Sequence, residues 1–246
     1  MKVREFGQDT GETILLLHGG GLSWWNYREE ARLLEGDFHV VLPVLDGHAG
    51  SGQPFTTIRE NAEEIIAYID ERLGGSVLFI GGLSLGGQIL LEMLACRRDL
   101  CRHALVESAA VLPSRLTHAL VGPAFGSSYG LIKNRTFAKL QFQSLHMREA
   151  LFEDYYRDTC LIRKSDMIAF MKANTAYALP ASIAETEAKV HVFAGEKENR
   201  SVLRSAEMIC AAIPGSSQTI LSGLYHGEFS LNQPEHYVRT VREMIG

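Results

Sequence analysis

An α/β fold is what this sequence predicts, from three features. Short apolar, partly β-branched runs alternate with stretches of helical periodicity. A serine flanked by glycines, Ser84, stands between one such run and one such stretch. The 246 residues are 46% hydrophobic and 22% charged, which suits a single globular α/β domain with a sizeable core.

Taken in order, Thr13 to Leu17 reads as a buried strand that ends in His18-Gly19-Gly20-Gly21. Successive small residues there let backbone N–H groups turn inward without side chains in the way. Phe38 to Val44 is the next apolar run. It leads into the loop Leu45 to Gly52, read as structural, with His48 a hydrogen-bonder and not a catalyst. Val77 to Ile80 reads as a strand, and Leu85 to Ala95 as a helix with Leu85, Ile89 and Met93 on one face. Ser84 therefore sits on a sharp strand-to-helix turn, where Gly82 and Gly86 relieve crowding. Ala104-Leu105-Val106 is strand-like and ends at Glu107. Between Pro113 and Pro180 the chain is rich in aromatics. Leu151 to Tyr156 and Asp166 to Tyr177 read as helices there, the second opened by Ser165-Asp166 and carrying Ile168, Met171 and Thr175 on one face. Lys189 to Ala194 reads as a strand followed by the turn Gly195-Glu196-Lys197-Glu198-Asn199. Ser217 to Leu221 is strand-like, and Leu224-Tyr225-His226-Gly227 separates it from the helical stretch Pro234 to Met244.

Gly82-Leu83-Ser84-Leu85-Gly86 matches the G-x-S-x-G nucleophile elbow, and His18 to Gly21 resembles the oxyanion loop of lipases and esterases. The 45–52 loop is similar to a D-x-x-G-x-G-x-S loop of the same family, and His226 follows Ser84 in the expected chain order. Together these residues resemble the α/β-hydrolase superfamily from about Thr13 to the C-terminus. The resemblance implies a mostly parallel central sheet with helices on both faces and a helical cap inserted after the sixth strand, here about His103 to Val106. It divides the chain into a core, 1–112 and 181–246, and a cap, 113–180. It implies Ser84 as nucleophile, His226 as base, and oxyanion donors from Leu85 and from Gly20 or Gly21. Glu198 falls at the family's acid position, with glutamate in place of the commoner aspartate. Glu107 is the alternative acid, at the end of the earlier strand. Trp24, Trp25, Phe125 and Tyr129 are candidate walls of a substrate pocket.

The expected function is a serine hydrolase that cleaves a small carboxylic ester through an acyl-enzyme, with no metal and no organic cofactor. A carbon–carbon bond or lactone hydrolase would use the same triad, and a non-catalytic ligand-binding relative would retain the elbow without turnover. The partner is a small-molecule substrate. A net charge of 24 − 29 = −5, without long blocks of one sign, argues against nucleic acid or an anionic membrane. No apolar window is long enough to span a bilayer, and Met1 to Phe6 does not read as a signal peptide. Cys96, Cys101, Cys160 and Cys210 show no metal-ligand spacing and read as reduced thiols of a cytoplasmic protein. Oligomeric state is not legible in these features.

Overall fold

The computed structural model describes residues 1–9 and 11–246. Along the chain come β1 (Lys2–Phe6), β2 (Thr13–Leu17), α1 (Arg28–Leu34), β3 (His39–Val44), α2 (Ile58–Arg72), β4 (Val77–Leu83), α3 (Leu85–Cys96) and β5 (Cys101–Glu107). Then follow α4 (Arg115–Ser128), α5 (Arg135–Ser144), α6 (Phe152–Leu161) and α7 (Lys164–Ala176). The chain returns through β6 (Lys189–Gly195), α8 (Arg200–Ala212), β7 (Ser217–Leu221), α9 (Glu228–Asn232) and α10 (Pro234–Ile245). The strands make one seven-stranded sheet in the order β1-β3-β2-β4-β5-β6-β7. β1 runs antiparallel to β3, and every other neighbouring pair is parallel.

Side chains alternate along a strand, so parity decides the layer each one enters. Leu15 and Leu17 of β2 pack with α2, α3 and α8 residues such as Ile65, Ile89 and Ile209. Ile14 and Leu16 pack on the other face with Ala31, Leu34, Tyr237 and Val241 of α1 and α10. All four β2 side chains are at most 1% exposed. Each such burial stabilises by about 1.5–3 kcal/mol, which is why a strand covered on both sides is apolar throughout.

The order places a topological switch between β2 and β4: the chain passes from β3 over β2 to reach β4. A crevice opens beyond the carboxyl ends of strands at such a point. The residues that end β2 and β4 are therefore the ones that meet there, and they are the glycine loop and Ser84.

The strand before the 113–180 segment is the fifth in the chain, not the sixth, because β1 alone precedes β2. α7 begins at Lys164 and has no side-chain N-cap. Asp166, expected to help open that helix, instead accepts from the Phe55 N–H at 3.2 Å and from Arg163 at 2.5 Å, so its oxygens serve tertiary contacts. The buried face of α7 is Asp166, Met167 and Phe170 in place of Ile168, Met171 and Thr175. Among the described residues, no helix is long and apolar enough to cross a membrane.

Candidate active site

Ser84 occupies φ 52°, ψ −110°, a backbone region that L-residues rarely enter. The glycines on either side are sterically required. A Cβ on Gly82 would lie 2.5 Å from the Gly86 carbonyl oxygen, and one on Gly86 would lie 2.2 Å from that of Leu17. The elbow is tied down by Ser84 N–H to the Glu107 carbonyl at 2.8 Å and by Gln88 N–H to the Ser84 carbonyl at 2.9 Å. Leu85 opens α3 directly after Ser84, so its N–H belongs to the first turn, where no intrahelical acceptor exists.

Of the glycine loop, Gly20 lies beside that helix start: a Cβ on it would be 3.5 Å from the Leu85 side chain. Gly21 differs from the expectation. Its N–H is already donated to His48 Nε2 at 3.0 Å, and Gly19 N–H is donated to Asn26 Oδ1 at 3.2 Å. An N–H committed to a ring nitrogen is not available to an oxyanion, whereas among the described residues the Gly20 N–H has no acceptor. His48 can accept because burial pushes its imidazole down to about 4, and Nδ1 faces the Asp46 carbonyl at 3.0 Å. Its ring stacks on Phe170 of α7 at 4.6 Å, which couples the glycine loop to the 113–180 segment.

Glu198 lies in the turn after β6. Oε2 meets His226 Nδ1 at 2.7 Å, while Oε1 accepts from Ser108 Oγ at 2.6 Å and from Gly195 N–H at 3.0 Å. Burial works against the charge. The bond and charge of His226 and the donors Ser108 and Gly195 outweigh it and hold the carboxyl below its ordinary value. An ionised carboxylate only accepts, so Nδ1 of His226 carries the proton and Nε2 is the basic nitrogen. The glycine at 195 allows this approach, since a Cβ there would lie 2.3 Å from the Leu224 carbonyl oxygen. Asn199 Oδ1 caps α8 by accepting from Ser201 and Val202 N–H at 3.0 and 3.1 Å, which fixes the far end of the acid turn.

Glu107 does not touch His226. It shares strand parity with Leu105 and points into the layer of Tyr27 and Tyr237, where Oε1 accepts from Ser230 N–H at 3.2 Å. Burial raises its carboxyl to about 7 against the lowering bonds from Ser230. The native state thus holds a proton that the unfolded chain, near 4.5, has released. The sign follows: stability falls as pH rises through the window between these values. Glu107→Gln keeps the acceptor and has no charge to lose. It should flatten that slope by on the order of 3 kcal/mol. Urea unfolding of both proteins at about pH 5 and about pH 8 checks this; an unchanged slope in the variant would place the responsible group elsewhere.

Two cavities meet at Ser84 and His226. One of about 250 Å³ is lined by Leu83, His146, Lys197 and Tyr225 among others. The other, about 510 Å³, is walled by α4–α7 residues including Phe125, Tyr155, Met167, Phe170 and Met171. Of the candidate wall residues only Phe125 lines it. Trp25 is 1% exposed and donates its indole N–H to Asp158 at 2.8 Å, a bond that ties the loop after β2 to α6. Trp24 faces Phe6 and the guanidinium of Arg4 on another side of the molecule. Tyr129 turns its hydroxyl to the Ile162 carbonyl at 2.6 Å. Tyr155, one of the aromatics between Pro113 and Pro180, also lines the cavity, as does Ser108, which nothing local marks because its placement depends on how β5 ends. Among the described residues, no three His, Cys, Asp or Glu side chains gather as a metal-binding group.

The model of a family described as the alpha/beta hydrolase family matches residues 14–241. Over 145 residues the chain is 31% identical to Lipase 1 of Psychrobacter immobilis, a match that covers 57% of this chain and 45% of the lipase. The matched part thus spans about half the length of that curated relative. The fold is similar to that of a thermophilic esterase from Thermogutta terrifontis, with a TM-score of 0.80 and 17% identity over 98% of this chain and 91% of the esterase. It is also similar to that of the enol-lactonase from Burkholderia xenovorans, with a TM-score of 0.82 and 14% identity over 99% and 95% of the two chains.

Proposed function

Since the chain belongs to the alpha/beta hydrolase family, we propose that it is a serine hydrolase that cleaves a small carboxylic ester through an acyl-enzyme on Ser84. The observation that carries this reading is the juxtaposition of a strained, half-buried serine elbow with the Glu198–His226 pair on the wall of the smaller cavity. In the proposed reaction His226 Nε2 takes the Ser84 proton as Oγ attacks the carbonyl carbon. The tetrahedral oxyanion accepts from the N–H groups of Gly20 and Leu85. Glu198 keeps the imidazole in the Nδ1–H tautomer and stabilises its cation. His226 then protonates the departing alcohol, and a water activated in the same way hydrolyses the acyl-enzyme. The 113–180 segment acts as the cap that sets acyl or alcohol size.

A fluorophosphonate probe and a series of p-nitrophenyl esters of rising chain length test the reading together. The expected result is labelling at Ser84 and turnover that depends on chain length. A folded protein that neither labels nor turns over any ester would leave the non-catalytic reading. Within the same series, Phe125→Ala should change the ranking of chain lengths, because its ring lines the larger cavity. Tyr129→Phe should lower stability by about 1 kcal/mol, through its lost bond to the Ile162 carbonyl, and leave the ranking unchanged.

A further inference from the structure

Three non-glycine residues have positive φ among those described: Ser84 at 52°, His146 at 54° and Ser108 at 57°. All three line the two cavities that meet at Ser84. Strain of this kind costs on the order of 1–3 kcal/mol at each residue and persists only where the surroundings over-determine it. For Ser108 those surroundings are visible. Its N–H is donated to the Phe193 carbonyl at 2.9 Å, which carries the β5–β6 ladder one residue past the end of β5. Its hydroxyl donates to Glu198 Oε1 at 2.6 Å and accepts from Gly227 N–H at 3.4 Å. Ser108 is 2% exposed, so no solvent competes for these bonds.

We infer that Ser108 is a positioning residue that acts through Glu198. The inference rests on the serine-hydrolase reading above. A carboxylate has two oxygens and turns about its terminal torsion. The Ser108 hydroxyl, with the Gly195 N–H, occupies Oε1 and leaves Oε2 as the oxygen presented to His226. The same hydroxyl takes the N–H of the residue after His226. One side chain thereby holds the acid turn and the histidine loop in a common register. The left-handed backbone is what lets it do so: Glu107 points into the layer below, and Ser108, in an extended conformation, would continue the strand instead of turning its hydroxyl to Glu198.

Hydroxyl and backbone conformation separate experimentally in Ser108→Gly, Ser108→Ala and Ser108→Thr. Glycine accepts φ near 57° without strain and lacks the hydroxyl. Alanine keeps the strain and lacks the hydroxyl. Threonine keeps the hydroxyl at the worst backbone cost, being β-branched. Glycine and alanine lack the same hydrogen bond and differ in backbone strain, so melting temperature should place glycine above alanine. Ester kcat should order differently, with threonine within a few-fold of wild type and alanine and glycine both down about 10- to 100-fold, the worth of one hydrogen bond to an ionised group. KM should change by less than about threefold, since Glu198 does not bind substrate. The downfield proton resonance of His226 Nδ1–H should weaken or move in the alanine and glycine variants and remain in threonine. A glycine variant with wild-type kcat and an unchanged resonance would overturn the inference, because the hydroxyl would then be dispensable. If wild type turns over no ester, the underlying reading fails. The resonance then still decides whether Ser108 orients the Glu198–His226 pair.

Discussion

Ser84→Ala should lose ester turnover by about 10³-fold or more in kcat while the protein stays folded. Among the described residues the Ser84 hydroxyl has no hydrogen-bond partner, so its removal strands no buried group there. The elbow is held by backbone bonds to Glu107 and Gln88, and these survive the change. Alanine keeps a Cβ at φ 52°, ψ −110°, so the strain remains as well. Ser84→Gly removes both hydroxyl and strain. It should be equally inactive and more stable than the alanine variant by about 1–3 kcal/mol. Activity and unfolding measured on the three proteins check both halves. Near-wild-type turnover in a pure, folded Ser84→Ala sample would end the nucleophile assignment. Equal stability of the two variants would mean that the elbow stores no strain.

Glu198→Gln should be the second severe loss, by up to about 10⁴-fold in kcat, with Glu107→Gln far milder. The Glu198 side chain is 1% exposed, and both its oxygens accept: Oε1 from Ser108 and Gly195, Oε2 from the His226 ring. An amide has one oxygen. If its NH₂ faces Ser108 and Gly195, donors meet donors in a buried site. If its NH₂ faces His226, the ring presents an unprotonated Nδ1 to it and carries its proton on Nε2, the nitrogen that must accept from Ser84. The first arrangement sets donor against donor and leaves the imidazolium without its anion; the second costs the site its base. Burial raises the Glu107 carboxyl to about 7, so at neutral pH it is only about half ionised, and its donor is Ser230 N–H, which an amide oxygen serves equally well. The comparison is kcat/KM of the two glutamine variants on one ester. A crippled Glu107→Gln beside a nearly normal Glu198→Gln would move the acid to the end of β5.

The α/β class, the strand runs at 13–17, 77–80, 189–194 and 217–221, and the strand-to-helix turn at Ser84 were legible in the chain because their causes are local. Apolar runs of period two or less, helical spacing, and glycines around one serine express constraints between residues a few positions apart. β1 carries a weaker pattern, and α2 a broken one. β1 is an edge strand with mostly exposed side chains, and the buried stripe of α2 is interrupted by Asn61, whose amide accepts from the Asp46 N–H at 3.0 Å. Trp25 was misplaced as a pocket wall because its partner, Asp158, is 133 positions away.

The sequence by itself determined which residue types stand at strand ends: a serine between glycines, a glycine loop, a glutamate in a turn and a late histidine. Only the tertiary structure decided what each one touches. The β5–β6 register pairs Glu107 with Phe193, and strand parity sends the Glu107 side chain into the layer below, while Ser108 turns to Glu198. The fold brings His48 onto Gly21 and uses up an N–H that the loop alone would have offered. The reason is physical. A hydrogen bond is satisfied by whichever partner the packing brings within about 3 Å, and packing between distant segments is set by the burial of the whole apolar layer, not by the few residues that form the bond.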